Sequence, residues 1–241
     1  MENALDVKEC LKAGLRCWKK VPFLSALHAC ILTVMWILVV VIISLGPGII
    51  IFLIFFHIPF RVWAGFHKVG HLAFQEKDIR FDSFWSAFST KGLRGYAGRM
   101  LGLYIISVLV PAIISITLLD DIAAPWTILV FNTAAQLAFM TLFLLYQIAI
   151  PNIVFNKMKT GEAFAQSRKY IFSQIGPAIL LFIILALINA LGLLFAGIGL
   201  LITIPFSVYC WQYVWETRSG VFQHADVEQL IDQIGLESID E

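Results

Sequence analysis

No aspartate, glutamate or lysine interrupts any of the long apolar runs of this chain, and charged residues make up only 14% of the sequence. The intramembrane carboxylates and lysines that serve proton relays and ion-coupled pumps are therefore missing. Cysteine is sparse and scattered. Cys10, Cys17, Cys30 and Cys210 form no Cys-x-x-Cys pair and have no histidine grouping beside them, so they read as reduced thiols acting as small apolar side chains. A glycine-rich phosphate loop, a Gly-x-Ser-x-Gly elbow and a kinase-type signature are absent too. A net charge of +1 supplies no overall basic field for nucleic acid. These absences lead to the expectation of no enzymatic activity, no cofactor, no metal and no nucleic-acid partner.

Apolar surface is abundant instead. Hydrophobic residues are 60% of the 241, well above the ~45–50% of a soluble domain. A bilayer core of about 30 Å needs about 20 apolar residues as helix. Stretches of that kind run over Phe23–Leu45, Ile49–Phe66, Met100–Leu119 and Trp126–Ile150, and a longer one over Gly176–Trp215 is divided by "AGIG" at 196–199. The fold expected is all-α and polytopic, with six transmembrane helices in three hairpins. The tight outer turns would be "GPG" at 46–48, Asp120-Asp121 with Pro125, and "AGIG". The mixed N-terminal segment lacks a short apolar region with a small-residue cleavage site, so no cleaved signal peptide is expected.

Basic residues give an orientation. Lys8, Lys12, Arg16, Lys19 and Lys20 precede the first run; Lys68, Lys77, Arg80, Lys91, Arg94 and Arg99 follow the second; Lys157, Lys159, Arg168 and Lys169 follow the fourth. With Arg61 and Arg218 near the ends of their runs, all 17 fall on one side, which the positive-inside rule makes cytoplasmic for both termini.

Three segments preceding the hairpins mix apolar, aromatic and basic residues: "VKECLKAGLRCWKKVPF", "FDSFWSAFSTKGLRGYAGRM" and "GEAFAQSRKYIFSQIGP". Leu11, Leu15 and Trp18, and then Phe81, Phe84, Trp85 and Phe88, recur at helical spacing, as in amphipathic helices lying at headgroup depth. Each return run ends in a related form, "IPFRVW" from Ile58, "IPNIVF" from Ile150 and "IPFSVY" from Ile204. An internal repeat follows, with units of about 1–75, 76–158 and 159–216 inside a membrane domain of 1–216. Pro59, Pro151 and Pro205 are the expected kinks. Trp18, Arg61, Trp63, Trp85 and Trp211 are the expected interfacial anchors.

"IPNIVFNKMKTGEAFAQSRKYIFSQIGP", a span end, a short link and an amphipathic helix, resembles uncharacterised bacterial six-span inner-membrane proteins related to the membrane domain of some glycerophosphodiester phosphodiesterases. The "GIGLLITIPFSVYCWQYVW" ending is similar to theirs. The resemblance covers at most residues 1 to 216 and implies a location in the bacterial inner membrane. It brings no catalytic residues, because in the fused proteins the chemistry belongs to a separate soluble barrel.

Polar residues inside the runs have two readings. Asn132, Gln136, Gln147 and Asn189 either join helices by hydrogen bonds, the favoured reading, or line a narrow path or headgroup site. His67 and His71, four apart, are expected on a solvated or headgroup-facing surface, with metal ligation the lesser alternative. The tail 217–241 carries Asp226, Glu228, Asp232, Glu237, Asp240 and Glu241 without lysine or arginine from Ser219 onward. It reads as an acidic segment able to dock on a protein partner or on the basic loops, or as disordered chain. The functional expectation is a non-enzymatic membrane protein for envelope organisation or lipid-linked sensing and scaffolding, in contact with an anionic inner leaflet. The alternative is a passive lipid or small-solute transporter.

Overall fold

The computed structural model describes residues 5–44, 57–115, 125–194 and 198–219, and every described regular element is helical. The expected turns at 46–48 and Asp120-Asp121, the first part of the second apolar run (49–56) and the acidic tail beyond Ser219 lie outside the described residues. So do Ala196 and Gly197 of the expected dividing turn.

Helix α1 (Val7–Lys20) opens on Asp6, whose carboxylate accepts from the backbone N–H of Lys8 and Glu9 at 2.9 and 3.2 Å, a capping arrangement that satisfies otherwise orphaned donors. Its buried face is Cys10, Ala13, Gly14 and Cys17, a stripe of small residues that lets two backbones approach closely. That stripe packs on the last helix, where the Gly14 Cα faces Cys210 Sγ and lies beside the Phe206 carbonyl. Leu15 of the apolar stripe is 45% exposed, while Leu11 and Trp18 pack against the core beside the small face.

Helix α2 (Pro22–Ser44) is followed by α3 (His57–Phe74), which carries Pro59. Next come α4 (Phe81–Trp85), a 3-10 turn over Ser86–Ser89, and the long helix α5 (Gly92–Ile114). Within α5, residues Ile105–Leu109 form a π-helical turn. It lies directly before Pro111, whose ring and lost N–H deny the Ser107 carbonyl its usual partner.

Helix α6 (Pro125–Leu145) stops at a break over 146–148 and the chain resumes as α7 (Ala149–Val154). Pro151 sits in that resumed segment and removes the bond that Gln147's carbonyl would receive. The break is repaired from another helix, α8 (Thr160–Ser173). Its buried Ser167 donates to the Leu145 carbonyl at 2.8 Å and accepts from the Ile148 N–H at 3.2 Å. Helices α9 (Ile175–Leu194) and α10 (Leu200–Ser219) complete the fold. Pro205 lies inside α10, which runs on through it. Of the expected kink prolines, Pro151 accompanies a break in its helix and Pro205 does not, while the residues preceding His57, next to Pro59, lie outside those described.

Helix α10 is the centre of the assembly, packed against α1, α2, α3 and α9, while α7 is lodged among α3, α5 and α8. Buried side chains concentrate where the basic residues are, at the end formed by α1, α3, α4, α7, α8 and the last turns of α10. Three helices, within Gly92–Ile114, Trp126–Leu145 and Ile175–Leu194, are long and apolar enough to cross a membrane. Only 11%, 12% and 22% of their apolar windows are buried within the protein. Apolar surface on that scale is not left in water, so the chain is a membrane protein whose protein-covered core lies at its basic end.

Replacing Ser167 with alanine strips both sides of the break at 146–148. Denaturation in detergent is expected to show a loss of about 1–3 kcal/mol, against little change for Ser173→Ala, whose hydroxyl makes only a local bond to the Tyr170 carbonyl.

Candidate functional site

Two histidines of α3 meet two polar residues of α10 inside the basic end. His67 and Gln212, like His71 and Glu216, face one another across the helix pair, each pair 145 residues apart in sequence. Spacing of four on both helices makes a ladder with matching rungs. The Gln212 amide nitrogen donates to Glu216 Oε1 at 2.8 Å, and His71 Nδ1 lies 2.7 Å from the same oxygen. A carboxylate only accepts, so the Gln212 amide must present its nitrogen to Glu216 and its oxygen to His67. The 2.8 Å contact between His67 Nδ1 and Gln212 Oε1 therefore places a proton on Nδ1. His67 Nε2 is left buried with no hydrogen-bond partner.

His67, Gln212 and Glu216 have no solvent exposure. The expectation of a solvated surface for the histidines is thereby corrected for His67, whose ring is enclosed just past the second apolar run. Burial pushes its pKa down from 6.5 to about 4, with the Gln212 contact acting weakly in the opposite direction. Among the described residues, no group of three His, Cys, Asp or Glu side chains is placed to hold a metal ion. Glycine makes the seam possible, since a Cβ at Gly70 would lie 3.0 Å from the Tyr209 ring and 3.2 Å from Gln212 Cγ.

The seam is walled by aromatic rings. His71 lies against Phe155, centroids 4.3 Å apart, and 6.0 Å from the Trp215 ring. Trp215 then leads to a pocket on the far side. Its indole Nε1 donates to Asn152 Oδ1 at 2.8 Å, and the same oxygen accepts from Asn156 Nδ2 at 3.3 Å. Asn152, Asn156, Gln166, Tyr170, Trp215 and Arg218 line a cavity of about 350 Å³. Arg218 lies over the Tyr170 ring, 5.4 Å from its centroid. Among the described residues the lining therefore comprises one guanidinium, several amides and two aromatic surfaces.

A second enclosure surrounds His28 of α2. Its ring stacks on Phe84 at 3.5 Å between centroids and 6° between planes, with Phe66, Phe81 and Trp85 around it. Neither ring nitrogen has a hydrogen-bond partner. Close by, the hydroxyls of Ser25 and Tyr209 share a hydrogen bond of 2.6 Å that ties α2 to α10. On α1, burial and the neighbouring Asp6 carboxylate push the Cys10 thiol up to about 12, and burial also raises Cys17. Both thiols therefore stay protonated and unreactive.

The residues singled out in the sequence are dispersed over this frame. Asn132 accepts from the Ser115 hydroxyl at 3.1 Å, joining α5 to α6. Asn189 donates to Ser207 Oγ at 2.8 Å, joining α9 to α10. Gln147 is buried at the break before α7, whereas Gln136 is exposed on α6. Trp18 and Trp85 are half-buried, and so is Trp63, which lies 6.1 Å from Phe143 between ring centroids. Arg61 is half-buried as well, with its Nε enclosed. Trp211 is buried in the core beside Cys210 and Val214, so its ring lies within protein. Gln212, Glu216, Asn152 and Ser167 were not singled out. The available signal was the spacing of four shared by Gln212 with Glu216 and by His67 with His71, on helices that each end a long apolar run.

The enclosed His67 sets a pH dependence. The unfolded chain protonates this imidazole below about 6.5 while the folded one resists until about 4, so acid favours unfolding. Stability is expected to be level above pH 7 and to fall between pH 6.5 and 4, by at most about 1.4 kcal/mol per pH unit from this group. Unfolding midpoints across that range would check it, with a shallower fall expected for His67→Phe. No protein-family model, curated protein or solved structure matches the chain.

Proposed function

We propose that the chain is a six-span protein of the bacterial inner membrane, arranged as three repeated hairpin units with both termini cytoplasmic. Its role is non-enzymatic: it forms a platform at the inner leaflet for lipid-linked sensing or scaffolding. The observation that carries this reading is the way three short segments, α1, α4 with its 3-10 turn, and α8, use buried faces to clasp the basic end. Around them, Lys8, Arg16, Lys19, Arg94, Arg168 and Lys169 are exposed. Each such cation near an anionic leaflet contributes about 1 kcal/mol, and the exposed Leu15, Phe81 and Phe172 supply the apolar contacts of interfacial helices.

Two links support the repeat. After α3 the chain turns at Glu76 and after α7 at Lys157, both at positive φ, 54° and 52°. The turns are closed by similar backbone bonds, Lys77 N–H to Leu72 and Met158 N–H to Asn152. Such left-handed residues end helices by bonding late N–H groups back to earlier carbonyls.

The transporter alternative draws less support. Two of the polar residues it requires, Asn132 and Asn189, are engaged between neighbouring helices. It predicts lipid or solute flux that disappears when Asn132, Gln136 and Asn189 are all replaced with leucine.

Hydrogen exchange of the full-length protein in nanodiscs tests the platform. Amides of α1, α4 and α8 are expected to exchange at least about threefold more slowly in phosphatidylglycerol than in phosphatidylcholine, with the difference shrinking at high salt. Equal exchange in both lipids, or flux above that of protein-free vesicles, would overturn it.

A further inference from the structure

The cavity beside the seam has a lining rich in hydrogen-bond donors. Asn152 is 3% exposed, and its orientation is fixed from behind: indole N–H can only donate, so the bond from Trp215 assigns the amide oxygen to that side. Asn156 donates to the same oxygen. Both bonds to the Asn152 side chain thus fall on its oxygen, and its nitrogen, a double donor, is left for the pocket. Gln166 and Arg218 line the same space, and Arg168 and Lys169 are exposed on the adjoining turn of α8.

We propose that this pocket binds a phosphate group, with Arg218 supplying charge and Asn152, Asn156 and Gln166 supplying neutral donors. Phosphate suits this donor set because its oxygens accept several bonds at once, and a planar guanidinium pairs with two of them. The cavity of about 350 Å³ exceeds the ion itself and leaves room for a glycerol unit against Ile148 and the Trp215 and Tyr170 rings. The ligand is either the headgroup of an anionic phospholipid or a soluble phosphate. The first source rests on the platform reading, which puts this end of the protein at the inner headgroups. The donor set does not depend on it.

The test uses the full-length protein and two probes. Native mass spectrometry counts phosphatidic acid retained over phosphatidylcholine, and equilibrium dialysis of radiolabelled inorganic phosphate against protein in phosphatidylcholine nanodiscs measures the soluble ion. Arg218→Gln and Gln166→Glu alter the pocket at exposed positions where folding is tolerant, and Lys91→Gln removes one charge elsewhere to set the non-specific loss. The inference expects a site for at least one probe, weakened about tenfold or more by both pocket variants and much less by Lys91→Gln. Selective loss with phosphatidic acid identifies a lipid headgroup; selective loss with the ion alone identifies soluble phosphate. Neither probe binding, or equal losses in all three variants, overturns the inference. The exchange experiment above is read separately. Lipid-dependent protection without pocket selectivity would remove the phosphate site and leave the platform, and the reverse result would remove the platform and leave the site.

Discussion

The burial of Glu216 is the interaction on which the arrangement of the basic end depends. A carboxylate held away from water is strongly destabilising without hydrogen bonds, and Glu216 Oε1 receives two, so α10 can seat this residue only where α3 brings His71 and where Gln212, one turn earlier, turns its amide to it. That requirement fixes the rotation and the axial register of two helices that apolar packing alone would leave free to slide. Once α10 is registered, its other faces follow. The Cys210 face receives the small stripe of α1, Tyr209 reaches Ser25 of α2, and Trp215 meets Asn152 of α7.

Apolar burial is unevenly distributed for a related reason. In lipid, one hydrocarbon side chain against another gains little over contact with acyl chains, so helix association there leans on small residues and scattered hydrogen bonds. The bonds Ser115–Asn132 and Asn189–Ser207 meet that description. The close approach of Gly192 to Gly199, where a Cβ on the latter would lie 2.6 Å from the former's backbone, meets it as well. Where the chain leaves the long apolar helices, the hydrophobic effect acts at full strength, and the three buried clusters gather there. The short helices are thus part of the folded core as well as its outer cover.

This division explains what was legible in the sequence. Helical class and membrane character follow from unbroken apolar length, which composition and hydropathy read directly, and the breaks at Pro151 and before Pro111 sit where missing N–H groups require them. The buried seam was hidden because a histidine pair spaced by four has the same pattern whether it faces water or a neighbouring helix. Only the partner decides, and that partner is 145 residues away. The small face of α1 was not legible for a different reason: Leu11, Leu15 and Trp18 carry the hydrophobic signal, but Gly14 and its small neighbours are what allow α10 to approach. Ser167 gave no signal at all, since a serine that repairs a broken helix elsewhere looks like any other serine on a polar face.

The seam and the pocket are coupled by covalent proximity. Glu216 and Trp215 are consecutive, so a shift of α10 that disturbed the first would move the indole that orients Asn152, and with it the donors of the cavity. Arg218 belongs to the same turn. A ligand that draws Arg218 and Asn152 together favours the register in which Glu216 Oε1 keeps its bonds to His71 and Gln212, because both requirements are met by one position of one helix. Pocket and seam therefore share one constraint, the rotation and axial position of the last turns of α10.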